Sequence, residues 1–149
     1  MSLELPRNIG RILMHSVNDF QHRLDSDLRR RGVTGIRARH RAVFLHLGEM
    51  RPCRSVDLAQ REGISPQSMM KIVHELEQLG LVQRRPDPCD SRAKLLDFTG
   101  KGEALVDELA RSTARVWAQY AELIGERKLQ QTMRGLQYLL EATQVNQES

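Results

Sequence analysis

Two groups of side chains in this sequence have the chemistry to engage a polyanion. The first follows Ser65-Pro66, where Gln67, Ser68 and Lys71 stand close together. Glutamine pairs a donor with an acceptor and fits the edge of adenine, serine donates or accepts, and lysine reaches guanine or a phosphate. The second is Arg84, Arg85, Arg92 and Lys94, four cations on or beside one turn at 86–93 that also holds Pro86, Pro88, Cys89 and Asp90. An arginine near such a tip suits a narrow minor groove, where negative potential concentrates. Asp90 is an anion among cations. It is either a plain turn residue or a brace that holds Arg92 or another arginine by a charge-assisted hydrogen bond. Taken alone, the first group is equally an ordinary polar face on a capped helix. The cationic turn beside it shifts the balance toward nucleic acid.

These side chains need elements to hold them. Leu5, Ile9, Leu13, Val17, Phe20, Leu24 and Leu28 recur at helical spacing, which predicts one long helix over 5–31. A break at 32–35 precedes a second helix over 36–47, with Ala42, Val43, Leu45 and Leu47 as its apolar content and Gly48 as its stop. Ser55 then caps a short helix over 55–62, ended by Gly63. Ser65 caps the next, with Pro66 in its first turn, where the missing N–H costs nothing. That helix buries Met69, Ile72, Val73, Leu76 and Leu79 and stops at Gly80. Residues 81–85 and 94–98 are short strands around a loop longer than the tightest hairpin turn. Thr99 caps a long helix over 100–124, with Leu105, Leu109, Val116, Tyr120 and Leu123 or Ile124 inward. A last helix over 126–143 carries Leu129, Met133, Leu136, Leu139 and Leu140, before a frayed polar tail from Gln144.

Two short helices joined by a glycine-containing turn, followed by a hairpin, make a winged helix-turn-helix between Arg54 and Thr99, whose second helix can enter a major groove. The fold class expected is mainly α with a small β-hairpin wing. Charge is distributed to match. The chain carries a formal +4, and 29–41 hold six arginines and His40 with no acidic residue. From Thr99 onward six basic residues face seven acidic ones. The basic run is either a solvated turn or a phosphate-attracting end of the molecule; Arg37 and Arg39 are its candidates for phosphate contact.

Other classes find little support. No Gly-rich phosphate loop, metal motif or nucleophile–base pair is recognisable, so neither an enzyme nor a cofactor or metal is expected. No run approaches the ~18–20 apolar residues of a membrane span. The N-terminus lacks the basic-then-apolar layout of a signal peptide, so a cytoplasmic location is expected. Cys53 and Cys89 make no disulfide framework. Arg51 and Arg54 beside Cys53 are neighbours of the kind that lower a thiol pKa. The two thiols are either incidental, or oxidation of Cys89 on the turn disturbs binding.

The stretch Ser55-Val56-Asp57-Leu58-Ala59, the run from Ser65 through Gly80-Leu81-Val82, the Asp90-Ser91-Arg92-Ala93 turn and Leu96-Asp97-Phe98-Thr99-Gly100-Lys101-Gly102 together resemble the MarR family of bacterial transcription regulators (multiple antibiotic resistance regulator type). The likeness covers nearly the whole chain, with the middle its most specific part. It implies a single domain over 1–149, in which 36–99 bind DNA and 1–35 with 100–149 form a helical dimerisation region. It implies a homodimer on a pseudo-palindromic operator, acting as a repressor. Helix 65–79 would enter the major groove and wing 86–93 the minor groove. Gln67, Ser68 and Lys71 would read bases, with Pro66 starting their helix; Arg92 would enter the minor groove, and Arg54, Ser55 and Ser65 would touch phosphates. A small aromatic or lipophilic effector is implied too, with His15, His40, His46 and Trp117 as candidates to line its cleft. Peroxide-sensing members carry a cysteine in the first helix, and this chain has none there. Lys71 stands where arginine is frequent, and two prolines stiffen the wing. An adaptor on the same fold, one that reads no operator, is the alternative; the presence of Gln67, Ser68, Lys71 and Arg92 argues against it.

Overall fold

A computed structural model describes residues 5–145; the expected tail beyond Val145 lies outside them. The order is α1 (Leu5–Arg30), α2 (Ala38–Met50), α3 (Ser55–Glu62), α4 (Pro66–Gln78), β1 (Val82–Asp87), β2 (Asp90–Phe98), α5 (Gly100–Ile124) and α6 (Glu126–Val145). The architecture is mainly helical with one antiparallel hairpin, the class expected. Packing divides the chain into two units, one up to Ala110 and one from Arg111.

In the first unit, α2, α3, α4 and the hairpin enclose one aliphatic core. Val43, Phe44 and Leu47 meet Leu58 and Ala59, then Met69, Val73 and Leu76, with Leu81, Leu96 and Phe98 below them. Burying each such aliphatic side chain stabilises the fold by about 1.5–3 kcal/mol. Phe44 and Phe98 stack at 4.9 Å between ring centroids. Only the C-terminal part of the α1 stripe is covered: Leu24 and Leu28 are buried, while Leu5, Ile9, Leu13 and Val17 are exposed. Arg41, itself buried, ties α2 to α1 through Asp25 and Gln21.

Several boundaries differ from expectation. Gly48 does not stop α2, which runs on to Met50, and Arg51 closes it by donating to the Leu47 carbonyl at 2.9 Å. A glycine costs a helix roughly 1 kcal/mol against alanine, too little to end it while later amides still find partners. Pro52 is the real barrier. Leu45 is exposed, and Phe44 takes the inward place. Arg54, not Ser55, occupies the cap position of α3. The strands are also longer than expected. Asp87 pairs with Asp90, leaving only Pro88 and Cys89 as the turn, while Pro86 pairs with Lys94. Residues 91–93 therefore form a bulge on β2. Pro86 is tolerated because β1 is an edge strand: β2 bonds on its other side to Cys53, whose N–H and carbonyl meet Leu96 at 3.2 and 2.7 Å.

At the start of α5, Thr99 Oγ1 accepts from the Gly102 amide at 3.0 Å and donates to the Gly80 carbonyl. A Cβ on Gly102 would lie 2.0 Å from the Leu81 carbonyl oxygen, so only glycine permits this approach. In the second unit, Gly125 separates the helices, Trp117 donates to Glu126 at 3.2 Å, and Leu129 is buried. Met133, Leu139 and Leu140 on α6 are exposed, as are both Leu123 and Ile124, one of which was expected inward on α5.

Candidate nucleic-acid interface

The turn from α3 to α4 depends on Gly63, whose φ of +68° is left-handed and whose amide closes α3 on Ala59 and Gln60. Two residues later Ser65 caps α4 by accepting from the Ser68 amide at 3.1 Å. Its own hydroxyl donates to Ser68 Oγ at 2.9 Å. Ser65 is thereby used up in starting the helix. Ser68, having accepted, keeps its own O–H to donate outward. Gln67, Ser68 and Lys71 are all exposed, on the side of α4 opposite Met69, Val73 and Leu76. This end of the helix also presents the Gln67 amide, the first-turn N–H that neither Pro66 nor the Ser65 cap removes, and the positive end of the dipole.

The wing is held by a carboxylate that sequence inspection passed over. Asp87 is buried and accepts from the Cys89 amide at 2.9 Å and from Arg54 Nη2 at 2.7 Å and Nε at 3.1 Å. The Cys89 amide, and then Arg54, hold its carboxyl below the usual carboxylate range. Asp-Pro-Cys is a local signal for such a side-chain-to-backbone turn; the arginine partner, 33 positions earlier, leaves no local trace. Asp90 does brace Arg92, but through the backbone: its Oδ1 accepts the Arg92 amide at 3.0 Å, while its Oδ2 stands 3.6 Å from Arg54. The Arg92 side chain is exposed on the bulge.

Ion pairing sorts the eight expected cations into two classes. Arg39 binds Glu75 at 2.9 Å, Arg54 binds Asp87, Arg84 binds Glu77 and Arg85 binds Asp97. Among the described residues, Arg37, Lys71, Arg92 and Lys94 are exposed with no acidic partner. The basic run before and within α2 is thus partly structural, since Arg41 is buried on Asp25 and Arg39 is engaged.

The residues expected around an effector each have their own surroundings. His15 is exposed on α1, buried His40 bonds Glu75, His46 faces Glu62, and Trp117 bonds Glu126 in the second unit. A cleft of about 440 Å³ lies elsewhere, lined by His22, Asp25, Leu28, Arg29 and residues 33–38. Cys53 also departs from expectation. Burial pushes its thiol up to about 11, helped by Asp57 and Asp97, and this overrides the neighbouring arginines.

Residues 32–93, the core of this arrangement, match the MarR family model. Over this stretch the chain is similar to the MarR family. Solved structures agree over nearly its full length. A probable transcriptional regulator from Pseudomonas aeruginosa is 25% identical with a TM-score of 0.73, over 92% of this chain and 99% of that one. A MarR-family regulator from Rhodococcus sp. RHA1 is 27% identical with a TM-score of 0.72, over 93% and 96%. CouR from Rhodococcus jostii RHA1, bound to p-coumaroyl-CoA, is 28% identical with a TM-score of 0.70, over 93% and 95%. The chain has the winged-helix fold of these transcriptional regulators. Among the described residues, no helix is long and apolar enough to cross a membrane.

Proposed function

We propose that this regulator is a homodimeric, sequence-specific repressor acting on bacterial DNA in the cytoplasm. Helix 65–79 enters the major groove, where Gln67, Ser68 and Lys71 meet base edges, and wing 86–93 brings Arg92 to the minor groove. The observation that carries this reading is the sorting of charge. Of the four candidate cations left unpaired, three, Lys71, Arg92 and Lys94, lie on the two elements a winged helix presents to DNA, and the fourth, Arg37, precedes α2. The exposed apolar stripes of α1 and α6 support dimerisation through 1–35 and 100–149, because such stripes are stable only when covered. A two-fold dimer then calls for half-sites about one helical turn apart. Release by a small aromatic or lipophilic ligand is supported by likeness to CouR, which was solved with p-coumaroyl-CoA.

Selection of bound duplexes from a random pool, with sedimentation of the free protein, tests the proposal. A two-fold-symmetric consensus and a dimer are expected. Enrichment of no sequence, or a monomer at micromolar concentration, would refute it. Thermal shift with small aromatic acids and their thioesters tests the ligand.

A further inference from the structure

Glu75 lies one turn beyond Lys71, so its carboxylate shares the side of α4 that carries a DNA-reading cation. An anion there would repel phosphate. Instead, Glu75 Oε2 is taken up by α2: Arg39 donates to it at 2.9 and 3.3 Å, and His40 Nε2 stands 2.7 Å away. Both bonds hold its carboxyl below the usual range, His40 most of all.

His40 is the buried half of this clasp. Its Nδ1 accepts the Arg37 amide at 3.0 Å. A neutral ring therefore carries its proton on Nε2 and donates it to Glu75. One imidazole thus joins the first turn of α2 to the helix bearing Gln67, Ser68 and Lys71. The backbone it grips, Arg37, also belongs to the 33–38 segment that lines the 440 Å³ cleft.

We propose that His40 is a positioning residue for sequence reading: by bonding Arg37 on one side and Glu75 on the other, it sets how α4 is presented and makes that presentation depend on the 33–38 corner. The inference rests on the reading of α4 as the DNA-contacting helix. It differs from simple core packing, because the consequence falls on discrimination between sequences and not on affinity for DNA as such. Phosphate contacts tolerate a small tilt of the helix, whereas base-edge hydrogen bonds do not.

The test compares binding of a duplex selected by the native protein with binding of a scrambled duplex of equal length. His40→Asn keeps an acceptor for the Arg37 amide but falls short of Glu75. His40→Gln keeps a donor that reaches Glu75. The specific-to-nonspecific ratio should fall about 10-fold in His40→Asn, the worth of one hydrogen bond to a charged group. It should be largely restored in His40→Gln, with scrambled-duplex affinity near native in both. Combined with Glu75→Ala, the His40→Asn loss should be shared, not summed. Hydrogen exchange on the free protein gives a readout independent of DNA: α4 amides should exchange faster in His40→Asn while α3 stays unchanged. An unchanged ratio in His40→Asn, additive losses, or unchanged α4 exchange would overturn the proposal. A native protein that prefers no duplex, but whose α4 still loosens in His40→Asn, would defeat the DNA reading and leave the clasp standing.

Discussion

Replacing Arg92 with alanine should change how DNA binding responds to salt by an amount the ion pairs allow us to calculate. Each phosphate neutralised contributes about 0.9 to the slope of log K against log salt. Eight cations occupy candidate positions in each head, but Arg39, Arg54, Arg84 and Arg85 already face carboxylates. If only Arg37, Lys71, Arg92 and Lys94 displace counterions, a dimer engages about eight phosphates and the slope is about −7; if all eight act, it is about −14. Arg92→Ala removes one cation per protomer, so the slope should become shallower by about 2. Between 50 and 200 mM salt, native protein should then lose about 10-fold more affinity than the variant does. Arg84→Gln with Glu77→Gln is the control, since it removes a pair with no net charge and should leave the slope alone. Fluorescence anisotropy across a salt series reads both. An unchanged slope in Arg92→Ala would refute contact between wing and DNA. A control as costly as Arg92→Ala would refute the premise that pairing decides which cations act.

Three further outcomes follow from the packing. Gly102→Ala must displace the Leu81 carbonyl or the first turn of α5, so it should cost about 1–3 kcal/mol or more in denaturant unfolding; an unchanged midpoint would show that the approach is looser than described. Asp87→Asn should lower thermal stability with a defined pH window. The folded-state pKa of Asp87 is depressed, so its contribution is full above the ordinary value of about 3.9 and lost as pH falls through the folded value. The gap between native and variant melting temperatures should therefore hold steady above about pH 5 and close below about pH 4; a gap independent of pH would contradict the Arg54–Asp87 clamp. Maleimide should label Cys89 alone in the native state. Cys53 is buried with its thiol raised to about 11, so it should react only on unfolding, and rapid native labelling of both would overturn its assignment.

The helices were legible because their signals are local. Apolar spacing along 5–30, the Ser65-Pro66 start, the Gly63 turn and the Thr99 cap each act over a few residues, and each stands where the sequence places it. Errors arose where a local cue competed with packing. Gly48 carried a stop signal that continued hydrogen bonding overrode, and 86–93 read as a longer loop although Asp87 pairs with Asp90 and is held by Arg54, far away in sequence. Composition and motif alone nominate the residues proposed to contact DNA. Which of those remain free to do so was decided by tertiary structure. Arg39 meets Glu75 across 36 positions and Arg54 meets Asp87 across 33, distances at which sequence has no periodicity to report. An arginine's charge is written in the chain, but whether that charge faces phosphate or is spent on a carboxylate depends on which elements the core draws together.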